Sequence, residues 1–122
     1  MIFTTTRVRF PSGSDVLVGD LHQPQGQDAE STTTIVIVTG SWTTVKEQQA
    51  DFYARRLAAA GLTTLVFDFR GFGQSAGNPR CWENPARKVE DIRAAVSFAA
   101  SQGYTRIGAL GICASAGYQA VN

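Results

Sequence analysis

Several functional classes are excluded by what this chain has little of. It holds two cysteines, Cys81 and Cys113, in 122 residues, too few and too far apart for a disulfide framework or a zinc-binding set. It has one histidine, His22. No apolar run is longer than Ile35–Val38, far short of the ~20 residues a membrane-spanning helix needs. The N-terminal stretch Met1-Ile2-Phe3-Thr4-Thr5-Thr6-Arg7 lacks the basic region followed by an apolar core that marks a signal peptide. Charge of either sign is also unremarked: 11 Lys and Arg stand against 10 Asp and Glu, a formal net charge of +1. The basic residues are scattered, and a surface that displaces counterions from nucleic acid or anionic lipid needs them clustered. Neither a nucleic-acid nor a membrane partner is therefore expected, and no cofactor motif stands out. The remaining expectation is one domain's length of soluble, cytoplasmic protein, 43% hydrophobic and long enough to bury a core.

What is present is a regular alternation. Arg7 to Phe10 and Val16 to Leu21 flank the turn formers Pro11-Ser12-Gly13-Ser14-Asp15, which predicts an antiparallel hairpin with a somewhat long loop. The polar stretch Gln23 to Glu30 reads as a surface loop. Thr34-Ile35-Val36-Ile37-Val38 is continuously apolar and β-branched, the pattern of a strand covered on both faces in a parallel sheet. A helix is predicted from about Val45 to Ala60, with Ala50, Tyr53, Ala54, Leu57 and Ala58 on one face and Gly61 as its stop. Leu62 to Phe67 is the next strand, followed by a long loop from Asp68 to about Pro85; loops of that length are often functional. A second helix spans about Ala86 to Gln102, with Val89, Ile92, Ala95, Val96 and Ala99 inward and Gly103 ending it.

Strands alternating with helices after a hairpin predict an α/β sheet with parallel central strands. Loops 39–44 and 68–85 and the segment after the last strand would all open on the carboxyl edge, where such sheets bind ligands. That last segment is Arg106 to Gly117. Its apolar strand breaks into small residues around a nucleophile and then enters a helix at Tyr118-Gln119-Ala120. This is the small-x-nucleophile-x-small layout of a nucleophile elbow, whose strained, close-packed turn excludes bulky neighbours. Two residues fit its centre. Gly111-Ile112-Cys113-Ala114-Ser115 centres it on Cys113, and Cys113-Ala114-Ser115-Ala116-Gly117 on Ser115. Cys113 is favoured because Ile107 to Leu110 is then a strand of ordinary length, whereas Ser115 would lengthen it by about two residues. Outside this motif, Cys113 would read as a small buried hydrophobe.

Three motifs, in order, resemble the N-terminal half of the α/β-hydrolase superfamily. Thr39-Gly40-Ser41-Trp42 after an apolar strand matches the position of its His-Gly oxyanion segment, with Thr in place of His. Asp68-Phe69-Arg70-Gly71-Phe72-Gly73-Gln74-Ser75 matches its D-x-R-G-x-G-x-S loop in full, and the elbow is the third. Val45-Lys46-Glu47-Gln48 and a cysteine at the elbow look most like the dienelactone-hydrolase-like branch, which overlaps sequences described as Xaa-Pro dipeptidyl-peptidase-like or serine-aminopeptidase-like. The resemblance implies a three-layer α/β-hydrolase-like sheet. It also implies hydrolysis of an ester, lactone or small amide through a covalent intermediate on Cys113, or on Ser115 in a serine peptidase or esterase.

The implied oxyanion hole combines the backbone N–H of Ala114 with that of Ser41, or of Trp42 as second choice. Asp68 and Arg70 are expected to anchor neighbouring loops by ionic hydrogen bonds. Lys46 and Glu47 are expected on a solvated face, and Cys81 to be incidental. The triad acid and base of this superfamily follow the nucleophile in the chain. His22 precedes it and is expected to be a surface residue rather than a base. Residues 1–122 are thus expected to be a partial hydrolase domain with little turnover alone and a self-associating sheet edge; the alternative is a non-catalytic remnant. Competing glycine patterns fail: Gly71 to Gly77 is spaced G-x-G-x-x-x-G, off the dinucleotide fingerprint, and Gly40 to Lys46 lacks the second glycine of a phosphate-binding loop.

Overall fold

The computed structural model describes residues 2–26, 33–40 and 45–111. They form β1 (Phe3–Ser12), β2 (Asp15–Pro24), β3 (Thr34–Thr39), α1 (Gln49–Ala59), β4 (Thr63–Phe67), α2 (Pro85–Ser101) and β5 (Arg106–Gly111). The strands make one sheet in the order β1-β2-β4-β3-β5. β1 pairs with β2, and β2 with β4, antiparallel; β3 runs parallel to β4 on one side and to β5 on the other. The chain therefore steps from β3 to β4, then returns past β3 to reach β5.

Side-chain alternation along the parallel strands divides the interior in two. Ile35, Ile37, Leu65 and Phe67 point to the face covered by α2, joining Phe10, Leu17, Phe69, Phe72, Ile92, Ala95 and Ala99. Val38 and Val66 point to the opposite face and meet Ala50 and Ala54 of α1. The small alanines let α1 approach closely, and the Thr64 hydroxyl donates to the Ala54 carbonyl there at 3.0 Å. Helices on opposite faces make this the three-layer α/β-hydrolase-like arrangement anticipated from the motifs.

The helix ends follow ordinary capping chemistry. Asn84 caps α2, its side-chain oxygen accepting from the N–H groups of Ala86 and Arg87 at 3.0 and 3.3 Å, and Pro85 fills the first position, where no N–H is needed. Gly61 and Gly103 follow the two helices at φ +105° and +96°, conformations glycine adopts without penalty.

Three expectations need correction. The hairpin loop is tight rather than long: Ser12 pairs with Asp15, leaving Gly13 and Ser14 as the turn. Pro11 lies within β1, tolerated because β1 is the sheet's edge. Helix α1 starts at Gln49 instead of Val45, after a turn in which the Gln48 N–H donates to the Val45 carbonyl at 3.1 Å and the Gln48 side chain accepts from the Val45 N–H at 2.8 Å. Tyr53 is 45% exposed, so the buried stripe of α1 is Ala50, Ala54 and Ala58. Among the described residues, no helix is long and apolar enough to cross a membrane.

Candidate active site

The parallel strands are level at their carboxyl side: Thr39 pairs with Gly111, the last described residue of β5, and Val38 with Val66, so Gly40 and Asp68 leave β3 and β4 along one edge. The reversal from β4 back past β3 makes this carboxyl edge the place where α/β sheets bind ligands. Of the predicted site residues, Ser41, Trp42, Cys113, Ala114 and Ser115 lie outside the described residues, as does the helix expected at Tyr118-Gln119-Ala120. The described strands leading toward them are neighbours, with Thr39 of β3 paired to Gly111 of β5. What is described in atomic detail is the framework beneath.

That framework is the Asp68–Ser75 loop. Phe69 and Phe72 are 4% and 1% exposed and plug the loop into the α2-side core. The Asp68 carboxylate, fully buried, accepts from the Lys46 N–H at 2.7 Å, the Lys46 ammonium at 2.9 Å and the Gln74 N–H at 3.0 Å. Gly73 is required beside it: at φ +50°, any Cβ there would overlap the carboxylate. Ser75 closes the loop against β2, its hydroxyl accepting from the Val18 N–H at 2.8 Å and donating to the Asp68 carbonyl at 2.5 Å.

Arg70 reaches the other way. Its guanidinium donates to Asp91 at 2.9 Å, Glu90 at 2.7 Å and the Ser12 hydroxyl at 2.8 Å, and its N–H donates to Asp91 at 2.7 Å. The anchoring roles expected of Asp68 and Arg70 are what the geometry shows. Arg80, which the sequence did not single out, straps the loop by donating to the carbonyls of Ser75 and Gly73 at 2.6 and 2.7 Å. Asp91, the buried acceptor for Arg70, was likewise missed. Its only signal was an acidic residue next to the apolar stripe of α2.

Lys46 overturns the expectation of a solvated face: it is 1% exposed. Its ammonium donates to Asp68, to Glu47 at 2.6 Å and to the Gln74 side-chain oxygen at 2.6 Å, which uses all three N–H bonds. Burial pulls its pKa down, but the hydrogen bonds to Glu47 and Asp68 outweigh that and hold it above the ordinary lysine value. Glu47 is exposed at the surface end of this pair. Burial would raise its pKa, yet the Lys46 hydrogen bond and its own backbone N–H hold it below the ordinary carboxylate value.

His22 is corrected as well. It is 0% exposed, so it is not a surface residue, but neither is it placed as a base. One ring nitrogen lies 2.8 Å from the Thr5 hydroxyl and the other 2.7 Å from Asp51, and Phe3 packs edge-on against the ring. His22 pairs with Thr64, whereas Gly19 pairs with Phe67. It therefore sits three residues back from the carboxyl end of β4, roughly 10 Å along the strand at ~3.3 Å per residue.

Two other features stand apart. Cys81 is exposed and unpaired in any disulfide. A shallow cleft of about 390 Å³ lies between the hairpin turn and α2, lined by Gly13, Glu90, Arg93 and Phe98 among others. Among the described residues, its lining comes from the end of β1, the hairpin turn and α2 alone. Among the described residues no cluster of His, Cys, Asp or Glu could hold a metal ion.

The sheet order, the opposed helices and the motif loop define an α/β-hydrolase. Residues 29–117 match the family described as serine aminopeptidase, S33, and the chain belongs to that family of the superfamily. It is 48% identical over 79 residues to the Escherichia coli protein YcjY, covering 62% of this chain and 26% of that one. The crystal structure of PA2218 from Pseudomonas aeruginosa superposes with a TM-score of 0.84 at 34% identity, covering 95% of this chain and 37% of that chain. The polyketide transferase claH of Penicillium crustosum is 33% identical over 85 residues, 70% of this chain and 27% of its own. The chain thus spans about a quarter of the length of these curated relatives.

Proposed function

We propose that the full-length protein hydrolyses an ester, lactone or small amide of a small-molecule substrate through an acyl-enzyme intermediate on Cys113. The observation that carries this reading is the Thr39–Gly111 pairing. It sets the strand ends feeding the oxyanion segment and the elbow side by side, with Gly111 still in the ladder. Cys113 is preferred over Ser115 because Gly111-Ile112-Cys113-Ala114-Ser115 fits the small-x-nucleophile-x-small spacing directly after the apolar run Ile107 to Leu110. The Cys113 thiolate would attack the carbonyl carbon, and the Ala114 and Ser41 N–H groups, or Trp42 in place of Ser41, would bind the oxyanion. Collapse expels the alkoxide or amine, and water then releases the acid and restores the thiol. A reducing, cytoplasmic setting suits such a thiol. With His22 buried beside Thr64, roughly 10 Å back from the carboxyl end of β4 at ~3.3 Å per residue, the acid and base of the triad belong, on this reading, to residues beyond these 122, and this stretch alone has little turnover. Val45-Lys46-Glu47-Gln48 and the elbow cysteine support a dienelactone-hydrolase-like position within the superfamily.

One observation favours a second reading. The matching family is described as a serine aminopeptidase, which suits Ser115 as nucleophile of a peptidase or esterase. Hydrolysis of a short-chain p-nitrophenyl ester by the full-length protein separates the readings. Cys113→Ala is expected to reduce turnover by about 10³-fold or more, and Ser115→Ala by far less. The reverse pattern assigns Ser115. Turnover indifferent to both substitutions overturns both nucleophile assignments, and absence of both turnover and acyl-probe labelling favours a non-catalytic remnant.

A further inference from the structure

An exposed hydroxyl on β1 faces a buried imidazole that a carboxylate holds from behind. Thr5 lies directly across from His22 in the β1/β2 ladder, and its Oγ1 is 2.8 Å from His22 Nδ1. His22 Nε2 is 2.7 Å from Asp51 Oδ1 on α1. Asp51 is fixed in turn: its Oδ2 accepts from Arg55 Nε at 2.7 Å, and its N–H donates to the Lys46 carbonyl at 2.8 Å. Burial works against its charge, but the hydrogen bonds from His22 and Arg55 outweigh that and hold the carboxyl below its ordinary value. An ionised carboxylate only accepts, so Nε2 carries a proton. In the neutral ring Nδ1 then has the lone pair, and the Thr5 hydroxyl donates to it. Thr64, paired with His22 on its other side, and Phe3, edge-on to the ring at 5.3 Å, enclose the imidazole in this setting.

We infer that Thr5 is a nucleophilic hydroxyl, primed by the His22–Asp51 pair to accept an acyl group from an activated ester. The elbow takes no part in it. His22 lies too far back to act at the carboxyl edge, but it stands as a base toward Thr5. A nucleophile and a base within hydrogen-bond reach, with a third group orienting the base, is the arrangement nucleophilic catalysis needs. In the step, Thr5 Oγ1 bonds to the carbonyl carbon while its proton passes to His22 Nδ1, and Asp51 stabilises the imidazolium. The bond from that carbon to the leaving oxygen then breaks. The leaving group departs with the proton from His22, and Thr5 is left as an ester. Aryl esters suit the site best, because a phenolate needs little help to leave. The Phe3 ring, two residues from Thr5 on the same face of β1, has the Arg55 guanidinium 6.0 Å from its centroid and gives an aryl group a surface to lie on.

Thr4 and Thr6 supply an internal control. They are the same residue type on the same strand and also exposed, but their side chains alternate to the face away from His22. The full-length protein carrying Cys113→Ala and Ser115→Ala, so that the elbow consumes no reagent, is treated with p-nitrophenyl acetate. It is digested in acid, and the N-terminal peptide is fragmented by mass spectrometry to locate the acetyl ester. Thr5 is expected to be labelled about 10²-fold or more faster than Thr4 or Thr6. His22→Gln should bring the three within about threefold, and unfolding in urea should do the same. Should His22→Gln not fold, Asp51→Asn is read on the same scale, with the preference for Thr5 expected to fall about tenfold or more. No ester on Thr5, labelling of the three within about threefold in the folded protein, or a preference for Thr5 that survives these substitutions would each overturn the inference.

Discussion

Strands β4 and β5 flank β3, run parallel to it and carry similar apolar sequences, yet they sit in opposite surroundings. All residues of β4, Thr63–Phe67, are buried. In β5, Arg106–Gly111, none is, and Leu110 is 37% exposed. β4 has a hydrogen-bonded neighbour on each side and a helix over each face, whereas β5 pairs only with β3 among the described residues. The strand leading to the proposed nucleophile is thus the least supported in the sheet. The strand leading to Asp68 is the most supported. Burial and anchoring are concentrated at β4 and its loop, where the Asp68 carboxylate is held by the Lys46 and Gln74 N–H groups and the Lys46 ammonium.

Substitutions should break or sharpen that contrast. The largest effect is expected from Leu65→Ala in β4, a fully buried side chain whose loss should cost about 2–5 kcal/mol in urea unfolding. A cost below about 1 kcal/mol would mean that β4 is not the core it looks. Next, Gly73→Ala at the loop that β4 feeds combines a left-handed φ with overlap on Asp68, and should cost about 1–3 kcal/mol.

A smaller effect belongs to the amino end of β4, where Asp51 holds His22. Burial raises the Asp51 pKa, but the hydrogen bonds from His22 and Arg55 dominate and leave it below the ordinary carboxylate value. A depressed carboxyl contributes stability above its unfolded pKa and loses it as pH falls through the folded one. Asp51→Asn should therefore reduce stability at neutral pH and flatten the acid limb of a melting-temperature profile below the usual carboxylate range. An unchanged acid limb would show that the pair contributes nothing. For Lys46 the sign is opposite: its raised pKa contributes below the ordinary lysine value, and that contribution is lost at alkaline pH above it.

The smallest stability change, within about 0.5 kcal/mol, is expected from Leu110→Lys on β5. Its readout is association. The 122-residue chain should self-associate through the open β5 edge, and a charge there should shift light scattering toward monomer. A monomeric parent would contradict this.

The alternation of strands and helices was legible because hydrophobic period and glycine stops are local signals. The D-x-R-G-x-G-x-S loop was legible in role too, since Asp68 and Arg70 lie in a motif whose glycines announce tight backbone. Lys46 and His22 were misjudged for a common reason. Lysine and histidine are usually at least partly exposed, and what buries these two is distant in sequence. Lys46 is ion-paired with Asp68, and His22 is hydrogen-bonded to Asp51, partners that only the folded sheet brings near. The tight hairpin was hidden by Pro11 and Ser12, turn formers by composition that an edge strand accommodates.

The most direct test of the central claim is to trap the acyl intermediate. The full-length protein is quenched in acid during ester turnover, digested, and the acylated peptide mapped by mass spectrometry. The account predicts a thioester on Cys113, absent from Cys113→Ala and retained in Ser115→Ala. An ester on Ser115, or no adduct while substrate is being consumed, would contradict it.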